Sequence, residues 1–140
     1  MTVELTYLTM VTLFTAVMWI PVIISAVAAR GLGDALGYPD TLKPLGQIGA
    51  RLDRAHKNAV ENLVVFAPLV LIVHIAGASD AYTVFACITY YWARIAHYVL
   101  LAFAVPVLKS ITFMIGSFCQ VILAWRLLDP EQQLLQMLSN

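Results

Sequence analysis

The chain has 140 residues, of which 61% are hydrophobic and only 11% charged, with eight Lys and Arg balanced by eight Asp and Glu. Its mean hydropathy is +0.85, and a soluble domain this small has too little interior to hide that much apolar surface, so its natural solvent is lipid. Zero net charge removes the electrostatic case for binding nucleic acid or for polybasic docking on a membrane surface.

Residues 5–29 carry no charged side chain over 25 positions, more than the ~20 needed to cross the hydrocarbon core. A cleaved signal peptide is not expected, because Glu4 makes the preceding segment acidic and the apolar run is too long. Residues 30–53 are rich in Gly and Pro (Gly31, Gly33, Gly37, Pro39, Pro44, Gly46, Gly49) and read as an irregular surface loop. A second span is expected over about 59–78, a third over 81–105 and a fourth over 111–128. Residues 77–80 make a short connector, and 104–106 begin the turn between spans three and four. Pro21 and Pro68 fall inside spans, where neighbouring helices tolerate a kink. The expected fold is a single all-α domain over residues 1–140, an integral four-helix transmembrane bundle.

Arg30, Lys43, Arg51, Arg54, Lys57 and Lys109 lie on one side of this arrangement, against Arg126 on the other. The positive-inside rule then puts the first and third loops in the cytoplasm and both termini outside. In a bacterium the membrane would be the inner one. Cys87 and Cys119 sit inside apolar runs, as small hydrophobes do, and no His or Cys spacing suits a metal.

Two polar groups stand out against this apolar background. In Arg51-Leu52-Asp53-Arg54-Ala55-His56-Lys57-Asn58-Ala59-Val60-Glu61-Asn62, successive helical residues turn by ~100°. Arg51, Arg54, Asn58, Glu61 and Asn62 therefore share one face at the mouth of the second span. Such a face suits a small zwitterion with carboxylates and an ammonium group, or else belongs to a polar network that only holds helices together. In span three, Arg94, His97, Tyr98 and Leu101 fall on one face at i, i+3, i+4 and i+7. Arg94 lies too deep to reach the outer surface, so its expected partner is Glu61, in an intramembrane ion pair. His97 beside it reads as a hydrogen-bonded core histidine or a proton shuttle.

Arg54-Ala55-His56-Lys57-Asn58-Ala59-Val60-Glu61-Asn62 resembles the signature of the MAPEG family, the membrane-associated proteins in eicosanoid and glutathione metabolism. Arg94-Ile95-Ala96-His97, followed by Pro106 and Lys109-Ser110, is similar to that family's third helix and the turn after it. The microsomal glutathione transferase subgroup is the nearest in pattern. The resemblance implies a homotrimer that binds glutathione between subunits near the cytoplasmic side. Arg30, Arg51, Arg54, His56, Asn58, Glu61, Arg94, His97 and Tyr98 are then expected to bind glutathione. Lys109 and Ser110 are expected to hold its thiolate. Guanidiniums would grip the tripeptide's carboxylates, and Glu61 would accept from its ammonium group. Three positions depart from the pattern: Leu101 stands where a tyrosine is common, Lys109 replaces an arginine, and Ala59 replaces an acidic residue.

The function this implies is a glutathione-dependent membrane enzyme, a transferase or peroxidase acting on lipophilic electrophiles or lipid hydroperoxides. Glutathione would be its cosubstrate, with no metal. A lowered thiol pKa raises the fraction of nucleophile at neutral pH. The alternative is a non-catalytic member of the same fold, structural or ligand-sensing, which Leu101 and Lys109 favour. A small oligomeric transporter coupled through Glu61 is a third class, opposed by the two arginines that would keep that carboxylate ionised.

Overall fold

The computed structural model describes residues 1–129 and 138. Residues 130–137, 139 and 140, the end of the single domain expected from the sequence, lie outside the described residues. Every regular element among them is helical: α1 Val3–Val17, α2 Trp19–Arg30, α3 Leu32–Leu36, α4 Gln47–Ile75, α5 Ala81–Ala102 and α6 Pro106–Leu128. The first two run on as one apolar rod over Val3–Arg30, which with α4, α5 and α6 gives four helices long and apolar enough to cross a membrane.

The rod breaks at Met18, whose N–H reaches back to the Thr15 carbonyl at 3.3 Å instead of a full turn. Pro21 is the physical cause, since it has no N–H for the Val17 carbonyl and its ring crowds that group. Pro68 sits inside α4 without ending it. Thr2 caps α1 through its side chain. Asp80 and Thr83 form a reciprocal capping box at the start of α5.

The two tight connectors use the same device with different residues. After α4, Ala78 N–H bonds the Val73 carbonyl and Gly77 N–H the His74 carbonyl, with Gly77 at φ 65°. After α5, Val105 N–H bonds the Leu100 carbonyl and Ala104 N–H the Leu101 carbonyl, with Ala104 at φ 59°. Both are Schellman closures, and the second places an alanine in the left-handed position that glycine occupies without strain.

Two expected boundaries change. The loop expected over 30–53 contains the short helix α3, and α4 begins at Gln47. The polar residues at 47–58 have good helical propensity even though their hydropathy marks them as outside a span. At its 29 residues, α4 is ~43 Å long and must project beyond a ~30 Å hydrocarbon layer. The fourth helix starts at Pro106, five residues before the expected span, because proline at the first helical position loses no bond. Lys109 and Ser110, expected in the third loop, thus lie in the first turns of α6.

The most extensive packing is between α5 and α6. One core cluster joins Leu8 and Val11 of α1, Phe66, Val70 and Val73 of α4, Ala86, Cys87 and Tyr90 of α5, and Cys119 and Leu123 of α6. Within it Phe66 stacks flat on Tyr90 at 3.7 Å between centroids. Both cysteines are free and buried. A smaller cluster of Met18, Ala55, Ala59 and Leu101 fills the other end of the bundle, with Phe14 and Tyr98 against it.

Candidate functional site

Five of the residues expected in the site line one cleft: Arg54 and Asn58 from α4, His97 from α5, Lys109 and Ser110 from α6. Leu101, Phe113 and Met114 supply its apolar wall. The cleft holds about 270 Å³, just below the ~300–1,000 Å³ of complete small-molecule sites. It opens where the polar start of α4, the end of α5 and the start of α6 meet. The first turns of α6 bring the positive end of that helix's dipole to the wall carrying Lys109.

Hydrogen-bond valence decides what each wall group can offer. Arg94 is 97% removed from solvent, at 3% exposure, and donates from Nη1 to Asn58 Oδ1 at 3.4 Å and from Nη2 to the Phe113 carbonyl at 3.2 Å. A guanidinium has no acceptor, so the Asn58 oxygen must face it, leaving the Asn58 NH2 as the amide's free end. Asn58 is thus a donor toward the cleft. Ser110 spends its hydroxyl proton on the Pro106 carbonyl at 3.2 Å, so in this rotamer it offers only lone pairs. Donating to a thiolate requires breaking that bond. His97 is buried, and its Nδ1 lies 2.8 Å from the Lys109 carbonyl. A carbonyl only accepts, so Nδ1 carries the proton and Nε2 the lone pair.

The expected Arg94–Glu61 ion pair does not form. Glu61 is exposed and without a partner among the described residues, one step round α4 from the face that meets α5. Asn58 takes its place against Arg94. One turn further on, the Asn62 carbonyl accepts from Gln120 Nε2 of α6 at 3.1 Å. Arg94 instead rests its charge on aromatic faces, with Cζ 5.1 Å from the Tyr90 centroid and 5.5 Å from that of Phe113. Its Nε, like the Tyr90 hydroxyl, is buried without a hydrogen-bond partner among the described residues.

The remaining expected residues fall outside the cleft. Arg30, the last residue of α2, donates to the Lys43 carbonyl of the following connector at 2.6 Å. Arg51 reaches the Ala102 carbonyl and Gln47 Oε1, each at 3.5 Å, and so ties α4 to the end of α5. His56 is half-buried beyond the cleft lining. Tyr98 packs edge-on against Phe14 of α1 at 5.7 Å.

Gly116 escaped the sequence reading altogether. A Cβ there would stand 2.7 Å from Arg94 Cζ and 2.8 Å from its Nε, so the guanidinium lies directly on bare α6 backbone. The signal was present: Gly116, Cys119 and Leu123 are the buried face of α6, and a glycine on such a face marks close approach by a neighbour.

A second polar cluster, also missed, closes the opposite end of the bundle. Glu4, 2% exposed, accepts from the Ser79 hydroxyl and from Thr83 Oγ1, the latter at 2.8 Å. Beside it Arg126 pairs with Asp80, its Nε 2.7 Å from Oδ2, and with Asp129 at 3.0 Å. Burial pushes the Asp80 carboxyl up, but the Thr83 N–H and the Arg126 guanidinium outweigh it and hold it below its ordinary range. Among the described residues no three His, Cys, Asp or Glu side chains gather as a metal site requires.

No curated protein and no solved structure matches the chain. The MAPEG family profile matches residues 7–129, and this match with the four apolar helices makes the chain an integral multi-pass membrane protein of the MAPEG family.

Proposed function

We propose that the protein is a glutathione-dependent membrane enzyme, of the microsomal glutathione transferase kind, joining the glutathione thiolate to lipophilic electrophiles. The observation that carries this reading is the cleft itself, where Arg54, Lys109 and the Asn58 NH2 converge beside an apolar wall. Two cations and a neutral donor suit a ligand with several anionic groups. Leu101, Phe113 and Met114 suit an apolar cosubstrate arriving from the bilayer. Lys109, near the amino end of α6, is the group placed to favour thiolate over thiol.

A homotrimer completes the site. Glu61 is exposed on α4 two turns after Arg54, also exposed, and a carboxylate facing lipid is costly unless another chain covers it. The small volume of the cleft within one chain points the same way. Glu61 of a neighbouring copy would then meet the ammonium group of the bound tripeptide. The excess of Lys and Arg around the cleft end supports a cytoplasmic placement for it, with both termini on the other side.

Titration of the detergent-purified protein with glutathione, followed at the thiolate absorbance near neutral pH, tests the reading. A saturable thiolate band is expected, with bound stoichiometry tied to an assembly of three chains. Absence of binding would remove the glutathione reading and leave a non-catalytic membrane protein, which Leu101 in place of tyrosine and Lys109 in place of arginine favour.

A further inference from the structure

We propose that His97 is the proton acceptor for the thiol, with Nε2 as the atom that takes the proton; this rests on the reading that the cleft binds glutathione. The bond from Nδ1 to the Lys109 carbonyl at 2.8 Å leaves Nε2 as the basic nitrogen. Among the described residues that atom has no partner, and it is not one of the occluded, unpaired polar atoms, which are the Tyr90 hydroxyl and Arg94 Nε. It therefore reaches accessible space, and the ring lines the cleft. Around it, Arg54, Lys109 and the Asn58 NH2 can only donate to a ligand. Ser110 has an oxygen lone pair, but an aliphatic hydroxyl is far too weak a base to hold a proton near neutrality. Among the polar groups of this wall, His97 alone is a nitrogen base with a free lone pair.

The step balances within the site. The S–H bond breaks, its electron pair stays on sulfur, and the proton forms an N–H bond at Nε2. The resulting imidazolium keeps its Nδ1–H on the Lys109 carbonyl, which accepts from it more strongly once the ring is charged. Sharing the cleft with the ring are Arg54 from α4 and Lys109 from α6, Arg94 lies one turn earlier on α5, and Thr112 Oγ1 and the Phe113 ring of α6 pack against the imidazole. The three cations stabilise the thiolate, and its negative charge beside Nε2 in turn holds the imidazolium until the proton is passed on. After sulfur bonds to the electrophilic carbon, Nε2 gives the proton to the carbanion or alkoxide that an addition creates, or, where a halide ion leaves and cannot take it, to water.

The test mixes wild-type protein with glutathione in weakly buffered detergent, reading thiolate absorbance and a pH indicator together. Thiolate should appear with no matching release of protons to the medium. His97→Asn keeps a donor near the Nδ1 position and removes the base. In that variant thiolate formation should release protons one for one, and turnover with an activated haloarene should fall ~100-fold, the scale of general-base loss. Glutathione affinity should be largely kept, and added imidazole should restore turnover. One-for-one proton release by wild type, or unchanged turnover in His97→Asn, overturns the inference while leaving the glutathione site in place. Should the variant fail to assemble, the wild-type proton measurement decides alone. A wild-type protein that binds no glutathione overturns the functional reading, and this inference with it.

Discussion

The two ends of the bundle are both polar but are built on opposite principles. At the end formed by Glu4, Ser79, Asp80, Thr83 and Arg126, the Glu4 carboxylate is matched to two hydroxyl donors and Arg126 is paired with Asp80 and Asp129. At the cleft end, cations outnumber acids: Arg54 and Lys109 line open space, Glu61 faces outward, and Arg94 lies buried without a carboxylate. Burying an uncompensated charge is expensive, and a fold selected only for stability would neutralise it or pair it. Closure at one end and unmet demand at the other are what the proposed reading of the cleft end, as a place for an anionic ligand, accounts for.

Mutations can break this contrast, and the largest expected effect is at the closed end. Arg126→Ala removes the cation shared by Asp80 and Asp129 and should cost about 3 kcal/mol of stability, the low end of the range for a broken buried pair because these side chains are only partly buried. Thermal unfolding in detergent measures it, and glutathione affinity of the folded fraction should not change. Gly116→Ala comes next, since the added methyl evicts the Arg94 guanidinium from the α6 backbone, an overpacking of about 1–3 kcal/mol. Because Arg94 holds the Asn58 amide, this variant should also weaken glutathione binding. Its effect on binding should vanish in an Asn58→Ala background, whereas an unrelated structural defect would add.

Acid sharpens the same comparison. The Asp80 carboxyl is held below its ordinary range, so the stability it contributes is complete above the unfolded carboxylate pKa of ~4 and is lost as pH falls through the lower folded value. Unfolding temperature should drop on acidification through that window, and Asp80→Asn should flatten the dependence. The smallest effect is a gain. Ala104→Gly relieves the left-handed position after α5 and should raise stability by no more than ~1 kcal/mol. Gly77→Ala, at the matching turn, should lower it by a similar amount.

The four spans and the polar faces of α4 and α5 were legible because long apolar runs and helical spacing carry them directly. The start of α6 was not, because Pro106 and Lys109 resemble loop residues to any hydropathy reading, yet suit the first turns of a helix. Arg94 was correctly placed as buried, but its partner was misread. Helical spacing brings Asn58 and Glu61 near one face, and only the packing of α4 on α5 decides which of the two turns inward. Gly116, Gln120 and the Glu4 cluster depend on contacts between distant segments, which no local pattern records. Glu4 had looked like a mere flank of the first span, whereas its meaning comes from Ser79 and Thr83, some 75 or more positions away.

The most direct test of the difference between the ends is a pair of glutathione binding isotherms, one on Asn58→Ala and one on Glu4→Gln. The first removes a donor from the cleft wall, and the second weakens an acceptor at the closed end. Affinity should fall by about fivefold or more in Asn58→Ala, the equivalent of a lost polar contact of ~1 kcal/mol, and should stay at the wild-type value in Glu4→Gln. Equal losses in both variants, or a wild-type isotherm from Asn58→Ala, would contradict the assignment of the cleft end as the glutathione site.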